Sequence, residues 1–137
     1  MSVIVNDDGF KTDDWTLGFA PSNEAANDVL ALDVTSDTNP ATLTKKLRTA
    51  KIIRIDFPNF ADGRGFTIAR QIRLAGYAGR LRAKGHIISD QYAMARRCGF
   101  DEIEISNKLA ERQPEEEWLF RSNWQAHDYQ ARLRGAL

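Results

Sequence analysis

Three short strand-like runs, separated by two helical patterns, fill the chain between Lys51 and Ile105. Ile52-Ile53-Arg54-Ile55-Asp56-Phe57 reads as a strand stopped by Pro58. The loop Asn59–Phe66 leads to Thr67, expected to cap a helix through Ile68, Ile72 and Ala75 that Gly76 closes. Gly79–Ala83 is the second expected strand, Ser89 or Asp90 the next cap, Gly99 the next helix stop, and Phe100–Ile105 the third strand. Strands alternating with helices of this length make a βαβαβ unit, which requires parallel strands and right-handed crossovers.

The flanks extend that unit. Residues 1–26 contain a weak strand near Val3-Ile4-Val5 and then a polar stretch, expected to be a loosely held arm or an edge strand. Val29–Val34 predicts a further strand, and Asn39-Pro40 opens a helix expected to run to about Thr49. After Ser106 the chain turns helical, with Pro114 and Glu115-Glu116-Glu117 at the start of a second piece loaded with Trp118, Phe120 and Trp124. The expectation is one α/β domain over 1–137, with a 51–105 parallel core in an open sheet and a helical 107–137 segment. A partial (β/α) barrel completed by a second copy is the alternative.

The charge is strongly segregated. Residues 1–44 hold one basic side chain and eight acidic ones, residues 45–97 thirteen and three, and residues 98–137 five and eight. Either the basic centre attracts an anionic partner, or the acidic ends fold over it and neutralise it. The basic residues lack the interleaved aromatics of single-strand binders, so a nucleic-acid role ranks last. One cysteine, Cys98, excludes an internal disulfide, and the opening residues carry no basic region followed by an apolar run. A cytoplasmic protein without a membrane span is expected. His86 and His127 are too few and too distant in sequence for a metal site, and no cluster, haem or dinucleotide spacing occurs, so neither metal nor cofactor is expected.

In a parallel α/β unit, function collects at the carboxyl ends of the strands. The first such crest holds Asp62, Gly63, Arg64 and Gly65 ahead of Thr67. Its glycines would let backbone amides converge on an anion, with Arg64 as a forked donor. The second crest holds Arg82, Lys84, Gly85 and His86 before Asp90 and Gln91. Arg64, Arg82 and Lys84 are expected to converge on one cleft, with Asp62 or Asp90, or less readily Asp56, as acid or base. The plain alternative makes Asp62 a turn former and a partner for Arg64.

The segment Ile55–Phe100 resembles a bacterial family, domain of unknown function 934. The resemblance rests on Phe57-Pro58-x-Phe60-x-Asp62-Gly63-Arg64-Gly65-Phe66, Ala69-Arg70, Ile72-Arg73, Gly76-Tyr77, Gly79, Leu81-Arg82-Ala83-x-Gly85, Asp90-Gln91 and Arg97-Cys98-Gly99-Phe100-Asp101. Members are usually described as probable oxidoreductases involved in sulfite reduction, and tend to accompany assimilatory sulfite reductase. The resemblance therefore implies an accessory protein of sulfur assimilation and cysteine synthesis, acting on sulfite reductase, a related partner or a small anion. A stand-alone enzyme on a small anionic or phosphorylated substrate is the alternative. The chain departs from the pattern at Arg80, where an acid is expected, and at His86, where aspartate is expected.

Overall fold

The computed structural model describes residues 2–127. Its centre is a seven-stranded sheet formed by β1 (Ser2–Asn6), β2 (Gly9–Lys11), β3 (Ala20–Pro21), β4 (Ala31–Val34), β5 (Ile52–Phe57), β6 (Arg80–Gly85) and β7 (Glu102–Ser106). The spatial order is β2-β1-β7-β6-β5-β4-β3. From β3 to β7 every pairing is parallel, while β1 runs antiparallel to both β7 and β2. The fold is thus α/β with an open, mostly parallel sheet. The first 26 residues, expected as a loose arm or an edge strand, supply three strands: β1 at the expected Val3-Ile4-Val5 strand, docked on the far side of the parallel core, and β2 and β3 at the two edges of the sheet.

Neighbouring strands from β3 to β7 follow one another in chain order, so successive right-handed crossovers carry their connections over one face. That face holds α1 (Arg64–Leu74) and α2 (Tyr92–Cys98), while the short helices α3 (Asn107–Arg112) and α4 (Glu115–Leu119) follow β7. Strand side chains alternate between faces. Leu32, Ile53, Ile55, Phe57, Leu81, Ala83, Ile103 and Ile105 point toward the helices and form one core with Phe66, Ile68, Ala69, Ile72, Tyr92, Ala95 and Trp118. Phe57 anchors it, with its ring 4.9 Å from Phe66 and 5.8 Å from Phe100. Such aromatic pairs contribute about 0.5–1.5 kcal/mol each beyond their buried area.

Two local expectations change. The segment 40–49 forms two 3-10 turns, Pro40–Leu43 and Lys46–Arg48, rather than a helix. Asn39 does cap it, accepting from the Ala41 N–H at 3.1 Å. The hydroxyls of Thr42 and Thr44, however, donate back to the Asn39 and Ala41 carbonyls, a local competitor of helical bonding. Thr67 lies exposed inside α1 instead of capping it. The helix starts four residues earlier, with Gly63 at the cap position, where the Asp62 carboxylate accepts the Arg64 N–H at 3.1 Å.

The other face of the sheet carries charge. Arg54 on β5, Arg80 and Arg82 on β6, and Glu102 and Glu104 on β7 share it with Asp33 on β4. Arg82 is fully buried. It donates to Glu102 at 2.6 Å, to Glu104 at 2.9 Å and to both oxygens of Asp13 at 3.0 and 3.1 Å. Arg54 forks onto Asp33 at 2.6 and 2.8 Å and reaches Glu104 at 3.2 Å. Arg80 binds Glu102 and Asp14. Residues 12–19, between β2 and β3, cross this face as a strap, with the Phe19 ring 3.9 Å from the Arg54 guanidinium. The acidic first segment thus does fold over the basic centre. No buried side-chain nitrogen or oxygen among the described residues lacks a hydrogen-bond partner.

Removing one member of such a network strands its buried partners. Arg82→Met is expected to lower stability by about 3–5 kcal/mol, read from the urea midpoint with its slope. The strap also has an acid limit. Burial pushes the Asp13 carboxyl up, but its bonds to Arg82 and the Trp15 N–H outweigh that, and it ends below its ordinary 3.8. Asp14 is lowered by its bond to Arg80, and Asp7 by Tyr92 and Arg96 against the opposing effect of burial. Depressed folded-state values stabilise above the unfolded pKa and lose that contribution as pH falls through them. Unfolding free energy is therefore expected to hold from neutral pH to about pH 5 and to fall below about pH 4.

Candidate functional site

The Asp62–Gly65 loop caps the carboxyl end of β5 by way of a chain of local bonds. Asn59 accepts the Ala61 N–H at 3.0 Å. Asp62 accepts the Arg64 backbone N–H and, through both oxygens, the Arg64 guanidinium at 3.0 and 2.7 Å. The same Arg64 Nη2 that meets Asp62 also donates to the Ser36 hydroxyl at 2.9 Å, fastening the loop to the β4 connection. This fork holds the Asp62 carboxyl down to about 2, mainly through the guanidinium bond and then the backbone N–H. The Arg64 side chain nevertheless stays 60% exposed.

The loop is not an amide nest. Gly63 has φ −92°, and neither Gly63 nor Gly65 has positive φ. Gly65 is required for space: a Cβ there would lie 2.4 to 2.9 Å from the Phe57 ring. Gly85, at the end of β6, needs both its positive φ of 115° and its missing side chain, since a Cβ would meet the Phe57 carbonyl oxygen at 2.6 Å.

The three expected cations separate. Arg82 lies mid-strand beneath the strap, paired with three carboxylates, and offers nothing to a ligand. Arg64 is on the rim, already forked by Asp62. Lys84 stands at the carboxyl end of β6, in register with Asp56 on β5 and Glu104 on β7. Asp90 pairs with Arg121 at 2.7 Å, away from Asp62. Gln91 accepts from the Ile88 N–H and places its amide 3.5 Å from the Phe60 carbonyl, tying the second crest to the first. Phe60, 42% exposed, meets the His86 ring edge-on at 5.0 Å. Cys98 is half-buried, and burial pushes its thiol up, as for an inert cysteine.

A cleft of about 690 Å³ opens at the carboxyl ends of β4, β5 and β6, on the helix-free side. Asp33, Arg54, Asp56 and Lys84 form its floor, and the loop after β4, from Thr35 to Asn39, forms one wall. Thr35 bonds to both Asp37 and Thr38 within that wall. Sequence reasoning passed over this loop, although it follows a parallel strand and is rich in Thr, Ser, Asp and Asn. The missing step was the parallel placement of β4. Among the described residues no group of three His, Cys, Asp or Glu side chains is arranged to hold a metal ion, and no helix is long and apolar enough to cross a membrane.

A family model described as "Bacterial protein of unknown function (DUF934)" matches residues 31–136, more than three quarters of the chain. No curated protein and no solved structure matches it.

The contact between Gly65 and Phe57 is testable. Gly65→Ala is expected to cost about 1–3 kcal/mol by overpacking. Gly63→Ala, whose Cβ would come no closer than 4.0 Å to Phe66, should stay within about 0.5 kcal/mol of the parent in the same denaturation assay.

Proposed function

This chain belongs to the bacterial DUF934 family, and from that premise we propose that it serves assimilatory sulfite reduction as an accessory protein. In this proposal it brings no redox cofactor of its own and works in the cytoplasm by contact with sulfite reductase or a neighbouring sulfur-assimilation protein. The observation that carries the contact role is the rim at the carboxyl end of β5. There Phe60 and Arg64 stand exposed on a loop already immobilised by Asn59, Asp62, Ser36 and Gln91. Aromatic and arginine side chains dominate binding energy at interfaces, and a loop ordered before contact loses little entropy on docking.

An enzyme gripping an anion between Arg64 and Arg82 is the weaker alternative, because carboxylates of the same chain occupy both guanidinium groups. Arg64 remains suited to contact, since 60% of its side chain faces solvent while its fork stays fixed.

The test is retention of sulfite reductase activity on the tagged protein from lysate of sulfate-grown cells. The parent is expected to retain it, and Phe60→Ala or Arg64→Ala to reduce retained activity about tenfold, corresponding to about 1.4 kcal/mol. Phe60→Ala should keep the parent's melting temperature, and Arg64→Ala should lower it by no more than the small worth of an exposed ion pair, because neither side chain contributes to the core. No retained activity on the parent, or undiminished activity on both variants, would overturn the proposal.

A further inference from the structure

The cleft beside β4–β6 is a second feature, lined by neither Phe60 nor Arg64. Its charged floor divides into spent and available groups. Arg54 and Asp33 neutralise each other through two short bonds, and Arg54 also reaches Glu104. Asp56 and Lys84 are different. They face each other in register across β5 and β6, both line the cleft, and among the described residues neither makes an ion pair. One available carboxylate and one available ammonium therefore stand on adjacent strands, a few ångströms apart by strand spacing.

The rest of the lining narrows the ligand. Hydroxyl and amide side chains of Ser22, Asn23, Thr38 and Asn39 line the walls, and no aromatic side chain is present to stack a base or a sugar ring. A ligand with several negative charges would meet Asp33, Asp37 and Asp56 as well as Lys84. A purely cationic one would leave Lys84 opposed. A molecule bearing one carboxylate and one ammonium on the same carbon matches both charges at once.

We propose that this cleft binds a free α-amino acid, its carboxylate on Lys84, its ammonium group on Asp56, and its side chain along the Thr38–Asn39 wall. Such a site is a pocket at the carboxyl ends of parallel strands, where open α/β sheets take their ligands. Both charges are met by residues of paired strands rather than of a loop.

The test is a thermal-shift screen of the protein against each standard L-amino acid at millimolar concentration. Acetate, methylamine and inorganic sulfate at the same concentration serve as single-charge and anion controls. At least one amino acid is expected to raise the melting temperature, with the controls silent. That shift should disappear in Lys84→Gln and in Asp56→Asn, each of which keeps the shape of the floor. Isothermal titration of the best amino acid should show binding at least tenfold weaker in either variant. A screen with no shift, a shift retained in both variants, or an equal response to sulfate alone would overturn the proposal. Retention of sulfite reductase depends on Phe60 and Arg64, so either proposal can fail while the other stands.

Discussion

Arg82 is the residue around which the sheet is organised. When every crossover passes over one face, helices bury that face and leave the other to find its own cover. Here the uncovered face is charged, and Arg82 lies fully buried at its centre, shared by Glu102, Glu104 and Asp13. Desolvating such a group is costly, and a well-packed apolar replacement of a whole buried network is often equally stable. What the network supplies is register. A slip of β6 by one residue would drive Arg82 into the apolar core and Leu81 out among the carboxylates. The same guanidinium holds Asp13, and so fixes where the strap crosses.

Internal ion pairs, two of them from the strap, explain much of the segregated charge of the chain. Asp7, Asp13, Asp14 and Asp33, all from the acidic first segment, pair with Arg96, Arg82, Arg80 and Arg54 of the basic centre. Charge asymmetry in a sequence often signals an external partner. Much of it here is consumed internally, through contacts spanning up to 89 residues.

The βαβαβ core was legible because it is local. Period-two runs, Pro58 after β5, and glycine after each helix all act within a few residues. The 40–49 segment misled because threonine hydroxyls compete with helical bonding, a preference that apolar spacing at Leu43 and Leu47 does not register. The strap left no local trace beyond its acids. The Asp62–Arg64 loop stands at the carboxyl end of β5 as expected, but the cations expected beside it were misplaced for one reason. The second strand was expected to end at Ala83 and runs to Gly85. Two further residues of strand turn Arg82 from a crest residue into the buried centre of a face, and put Lys84 at the edge instead.

Along the helix-free face, the environment therefore changes from one end of the strands to the other. At the amino end the strap covers Arg80 and Arg82 and saturates them. At the carboxyl end the cover stops, leaving Asp56 and Lys84 at the floor of an open cleft. One side chain links that cleft to the rim. Ser36, which accepts from Arg64, sits between Thr35 and Asp37, both of them cleft-lining residues. The β4 loop is thus held from outside by the exposed arginine and from inside by its own Thr35–Asp37 and Thr35–Thr38 bonds. A protein that drew Arg64 away from Ser36 would remove the outer hold, and the cleft wall would retain only its internal bonds. Contact at the rim and the shape of the cleft share that single hydrogen bond, so neither surface is set without reference to the other.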